Sequence, residues 1–178
     1  MLAWCWNEQP DSYYRYYEQL SAPSMRAALY QLSKYIETEG PFDGVIGYSQ
    51  GASLAATYLI QCSKLRSSER MPFKCAIFFS GGIPLDPMAL ESGDLKLITP
   101  KKTGALLTLP TTHIWGSNDE IWPGSSEILY EACEESQRNV SVHTEGHDIP
   151  GTRAKEAVQD AVRAIRRTLD RLPAGWGQ

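Results

Sequence analysis

Apolar positions along the chain follow two rhythms. Met25, Ala28, Leu29, Leu32 and Ile36 recur three and four residues apart between a Pro23 start and a Gly40-Pro41 stop, the spacing of an amphipathic helix. From Asp43 onward, short and nearly continuous apolar runs at 44–48, 73–79, 111–115 and 140–143 predict strands. They alternate with helical patterns at 50–65, 125–136 and 152–172. Strands rich throughout in Val, Ile and Phe and separated by helices predict an α/β fold, a mostly parallel sheet with helices on both faces. Pro84, Pro87, Gly93, Pro100 and Gly104 break the alternation, so 81–110 reads as a lid-like excursion over the strand ends. Tyr13, Tyr14, Tyr16 and Tyr17 read as a half-buried lead-in to the first helix rather than a stacking platform for a ligand.

At 178 residues and 42% hydrophobic content, 1–178 is one domain with an ordinary globular core. A net charge of −4 without a basic stripe excludes a nucleic-acid footprint. Arg163, Arg166, Arg167 and Arg171 are expected to form a solvated helix face with Asp160 and Asp170. Cys5, Cys62, Cys75 and Cys133 are far apart and unpaired in sequence, which suits reduced thiols in a cytoplasmic protein. No apolar run is long enough to span a bilayer, and the start lacks a signal-peptide pattern, so no membrane partner is expected.

The run VIGYSQGA (45–52) carries a G-x-S-x-G nucleophile elbow between a strand and a small-residue helix, making Ser49 the candidate nucleophile. Gly47 and Gly51 let the neighbouring elements approach without a Cβ clash. A serine hydroxyl needs a general base, and the base needs an acid to fix its tautomer. His113 and His143 lie within strand segments and read as structural. His147 sits in the loop TEGHDIPG between the last strand and the last helix, from where it can reach the sheet's C-terminal edge. The acid comes from IWGSNDEIWP: Asp119 is the candidate and Glu120 a neighbour that could serve instead, while Asp148 is too close to His147. The order Ser49, Asp119, His147 is that of the α/β-hydrolases, and each member follows a predicted strand. The N–H of Gln50 is one oxyanion-hole donor; nothing before Ser49 reads as the strand and glycine loop that would supply a second. This reading calls for no cofactor and no metal.

LAWCW near the start, EGPFDGVIGYSQGASLA, FFSGG, IWGSNDEIWP and EGHDIP together resemble the FSH-type serine hydrolases, a family of α/β-hydrolases. The resemblance implies the same nucleophile, acid and base, at Ser49, Asp119 and His147. It also implies an N-terminal strand, a histidine-glycine loop and a further βα segment before LAWCW, on the order of 60 residues, which are absent here. The fold is therefore expected to lack its N-terminal portion, and a homo-oligomer is expected to cover the open sheet edge. Family members include esterases and thioesterase-like proteins of fungal polyketide pathways. The resemblance thus implies a small-molecule ester or thioester substrate, an acyl or polyketide-like and even carrier-bound chain, cleaved in secondary metabolism through an acyl-Ser49 intermediate. Ile83, Leu85, Met88 and Leu90 in the excursion, with Trp122 beside the acid, are candidates to line the acyl site, with core packing as the competing reading. Two other functions stand beside hydrolysis: an isomerase or cyclase using His147 as a general base, and a catalytically dead binding protein.

Overall fold

The computed structural model describes residues 15–65, 71–100 and 104–172, with the element order α1 (Ala22–Glu39), β1 (Gly44–Tyr48), α2 (Gln50–Leu65), β2 (Cys75–Phe79), α3 (Pro87–Glu91), β3 (Thr111–Gly116), α4 (Ser125–Glu131), β4 (Arg138–His143) and α5 (Lys155–Leu169). The four strands form one parallel sheet in the order β1-β2-β3-β4. LAWCW, Cys5, Tyr13 and Tyr14 lie outside the described residues.

Side chains alternate between the two faces of the sheet along each strand. Ala76 and Phe78 of β2 face the larger core with Ala52, Leu59, Leu90 and Leu129, whereas Ile77 and Ile114 pack with Ala161 of α5 on the other face. That second face is partly polar and its groups are paired: Thr168 Oγ1 meets Thr112 Oγ1 at 2.6 Å and donates to the Thr111 carbonyl, while Asn139 Nδ2 donates to Thr168 Oγ1 at 2.8 Å. Satisfying these groups removes most of the cost of burying them. β1 pairs only with β2 among the described residues, and Ile46 at its middle is 68% exposed.

Several predicted boundaries move. β2 begins at Cys75 instead of residue 73, because the Lys74 amide turns to the Asp43 carbonyl. α4 stops at Glu131, where Leu107 bridges to Cys133 and the Leu107 carbonyl takes the Glu134 amide. Within the excursion the Ile83 carbonyl accepts from Ser53 Oγ and the Leu85 amide donates to Thr57 Oγ1 along α2, while the Leu106 and Leu107 amides donate to the Ala132 carbonyl at the end of α4. Leu85 and Leu90 are packed in the core, 6% and 1% exposed, whereas Met88 is exposed on α3.

Tyr16 and Tyr17 form the expected half-buried lead-in, packed on the start of α2. The four arginines of α5 and its end are exposed, and Arg163 pairs with Asp160. Cys62, Cys75 and Cys133 are buried, and no described helix is long and apolar enough to cross a membrane.

His113 is fully buried between Phe78 and Tyr130, and burial, with the nearby Arg138 charge, lowers its pKa to about 3 from the ordinary 6.5. Below 6.5 the unfolded chain binds a proton that the folded chain refuses. The neutral ring's contribution is therefore complete above that value and is lost as the pH falls toward about 3. Stability measured by denaturant titration is expected to drop by about 1 kcal/mol per pH unit in that window on account of this one group. His113→Phe should flatten the slope; an unchanged slope would contradict the assignment.

Candidate active site

The site is assembled at the C-terminal ends of β1, β3 and β4, where the loops of a parallel sheet converge. Ser49 follows β1 with φ of +51°, a left-handed conformation for a non-glycine residue. Gly47 makes the turn feasible, since a Cβ there would lie 2.6 Å from Ala52 Cα. The Ser49 amide is held by the Phe79 carbonyl at 2.9 Å and its carbonyl takes the Gly82 amide at 3.2 Å, so the elbow is fixed from the β2 side. The Gln50 amide opens α2, whose first amides have no intrahelical acceptor, and the helix dipole adds partial positive charge there. The Gln50 side chain accepts from the Tyr16 amide and donates to the Tyr17 carbonyl.

The three candidate residues come together in one line. His147 Nε2 is 2.8 Å from Ser49 Oγ, and His147 Nδ1 is 2.7 Å from Asp119 Oδ2. The His147 and Asp119 side chains are 9% and 7% exposed. Asp119 Oδ1 accepts from the amides of Ile121 at 2.9 Å and Trp122 at 3.1 Å, so each carboxylate oxygen has a defined partner. Burial alone would raise the Asp119 pKa. The hydrogen bonds from His147, Trp122 and Ile121 together with the His147 charge outweigh it and hold the carboxyl below its ordinary value. Glu120 and Asp148 are exposed.

Other residues hold the base, most of which the sequence did not single out. Tyr48 Oη donates to the His147 carbonyl at 3.1 Å, and the Gly146 amide donates to Asn118 Oδ1 at 3.0 Å. Gly116 and Gly146 touch backbone to backbone, and Gly146 has φ of +64°. The Trp122 indole lies on Gly82, where any Cβ would run into the ring, and packs against His147 with ring centroids 6.2 Å apart. Of these, Trp122 was already a candidate beside the acid, and Asn118, in a turn-rich S-N-D segment, carried a local signal.

Gly116→Ala tests the interlock of the acid and base loops. Its Cβ meets Gly146 backbone, which cannot swing aside as a side chain can, so His147 must move. The expected outcome is a fall in kcat on the order of 10²-fold with little change in KM, read by steady-state ester hydrolysis.

A proton can pass from Ser49 Oγ to His147 while Asp119 fixes the imidazole and stabilises its charge, the arrangement of a nucleophilic acyl-transfer site. The family model for serine hydrolases (FSH1) matches residues 2–159. Esterase FPY3 of Fusarium mangiferae is 37% identical over 161 residues, covering 90% of this chain and 72% of that protein. Hydrolase phiM of a Fungal sp. strain is 29% identical over 139 residues, covering 78% of this chain and 65% of that protein. A Bacillus cereus carboxylesterase structure matches with a TM-score of 0.54 at 20% identity, covering 84% of this chain and 68% of that one. At that identity the likeness is one of fold, the α/β-hydrolase fold.

Proposed function

The chain belongs to the serine hydrolase (FSH1) family, and from that premise we propose that it cleaves an ester or thioester through an acyl-Ser49 intermediate. The observation that carries the reading is the continuous line Asp119–His147–Ser49, with contacts of 2.7 and 2.8 Å. Ser49 Oγ attacks the acyl carbonyl as His147 Nε2 takes its proton. The oxyanion faces the Gln50 amide, and collapse expels the alcohol or thiol, which leaves with the proton from His147. Water, deprotonated by the same nitrogen, then releases the acid and restores the serine.

Carboxylesterase and thioesterase activity share this chemistry and differ in the leaving group. We favour an apolar acyl or polyketide-like chain, free or carrier-bound, because the half-buried Trp122 ring beside His147 offers an aromatic wall next to the reacting atoms. The buried thiols of Cys75 and Cys133, free in the structure, suit a reducing, cytoplasmic setting. The Ser49–His147 contact favours nucleophilic hydrolysis over an isomerase in which His147 alone acts.

Mass spectrometry tests this reading with matched p-nitrophenyl esters and N-acetylcysteamine thioesters of increasing chain length. Rapid quenching is expected to trap an acyl mass increment on the Ser49 peptide, with kcat/KM rising with chain length. Turnover with no adduct at Ser49 would overturn the proposal.

A further inference from the structure

We propose that His143, outside the catalytic line, is a positioning residue that sets the base-bearing loop at the height of Ser49 through the hydrogen bond its Nδ1 accepts from the Glu145 amide. The inference rests on the serine hydrolase reading above. Glu145 N lies 3.1 Å from His143 Nδ1, two residues before the base. Because Nδ1 accepts, the neutral ring carries its proton on Nε2, and Nε2 is buried without a hydrogen-bond partner among the described residues. Buried donors are rarely left unpaired. The other tautomer would set two N–H groups face to face at Glu145, so the fold keeps an orphan donor in order to keep the acceptor.

The ring is well placed for this task. Its own carbonyl accepts from the Ser117 amide at 2.8 Å and from Ser117 Oγ at 3.1 Å, which ties it to the turn that carries Asp119. His143 therefore connects the acid loop to the base loop, beside the Asn118–Gly146 and Tyr48–His147 contacts. Of these three supports, only the one at His143 is abolished by protonation. Burial, the largest influence, keeps the ring neutral below the ordinary histidine range against the opposing pull of Glu145 and Asp148, the charged groups that act on it. From the turn after β3, the His143 carbonyl meets the amide and hydroxyl of Ser117, both uncharged.

The test uses three variants. In His143→Asn the Oδ1 atom takes the place of Nδ1 and accepts without titrating. His143→Gln carries its polar end to the Nε2 position instead, and His143→Ala offers no acceptor. The expected result is that Asn keeps kcat within about threefold at neutral pH, while Gln and Ala lose on the order of 10²-fold in kcat with KM nearly unchanged. In the wild type kcat/KM should fall more steeply at acid pH than in the Asn variant, because protonation of His143 removes the acceptor that asparagine keeps. Equal activity, or equal loss, in Asn and Gln would overturn the proposal, and this pair decides it even if the Ala variant does not fold. The NMR resonance of the His147 Nδ1 proton, expected in the wild type and the Asn variant and broadened in Gln, reads the positioning without substrate. Its outcome is independent of Ser49→Ala, whose continued activity in the same assay would instead defeat the hydrolase reading.

Discussion

Ser49→Ala is expected to reduce ester turnover by on the order of 10⁴–10⁶ and to abolish labelling by a fluorophosphonate, while leaving the thermal unfolding midpoint within a few degrees. The size follows from the role: without Oγ no acyl-enzyme forms, and what remains is binding and whatever polarisation the Gln50 amide provides. The fold tolerates the change because the Ser49 amide and carbonyl, which hold the elbow to Phe79 and Gly82, are untouched. A useful rival is Ser80, which also follows a strand, has φ of +42° and precedes two glycines. Its hydroxyl is buried and has no partner among the described residues. Labelling that persisted at Ser80 in the Ser49→Ala variant would reassign the nucleophile.

Asp119→Asn should cost on the order of 10⁴ in kcat, and here the surroundings dictate the outcome. Oδ1 of residue 119 must accept from the amides of Ile121 and Trp122. An asparagine will therefore keep its carbonyl oxygen there and turn its NH₂ group toward His147 Nδ1. That nitrogen then has to accept, the ring proton moves to Nε2, and the base can no longer take a proton from Ser49. The exposed Glu120, changed to Gln, should stay within about threefold of wild type. A larger loss from Glu120→Gln than from Asp119→Asn, in parallel kcat measurements, would give the acid role to Glu120.

What the sequence could disclose divides along the range of the forces involved. β1 and α2 match their predicted spans because a turn as constrained as the elbow leaves little choice in where strand ends and helix begins. The parallel sheet is most legible at β2, CAIFF, which is buried on both faces and continuously apolar, whereas β3 carries paired threonines and a histidine on its buried faces. The three site residues were legible because each lies just past a strand end. Tyr48 and His143 were not, since one bonds a carbonyl 99 residues away and the other an amide two residues along, with nothing local to mark either. α3 is only five residues long, capped by Asp86, too short for a periodic pattern. The fate of Leu85 depended on which way the excursion ran, and that was decided by the Ser53 and Thr57 hydroxyls of α2.

The strand that carries the nucleophile has, like β4, a single neighbour among the described residues, whereas β2 and β3 are paired on both sides. Hydrogen-exchange protection in such a sheet is graded, with one-sided strands opening by local fraying long before the centre lets go. Among the described residues Ser49 thus rides on one edge strand and His147 on a loop anchored to the other edge. Mild denaturant should separate them while the centre of the sheet still exchanges slowly, so that loss of catalysis precedes loss of fold.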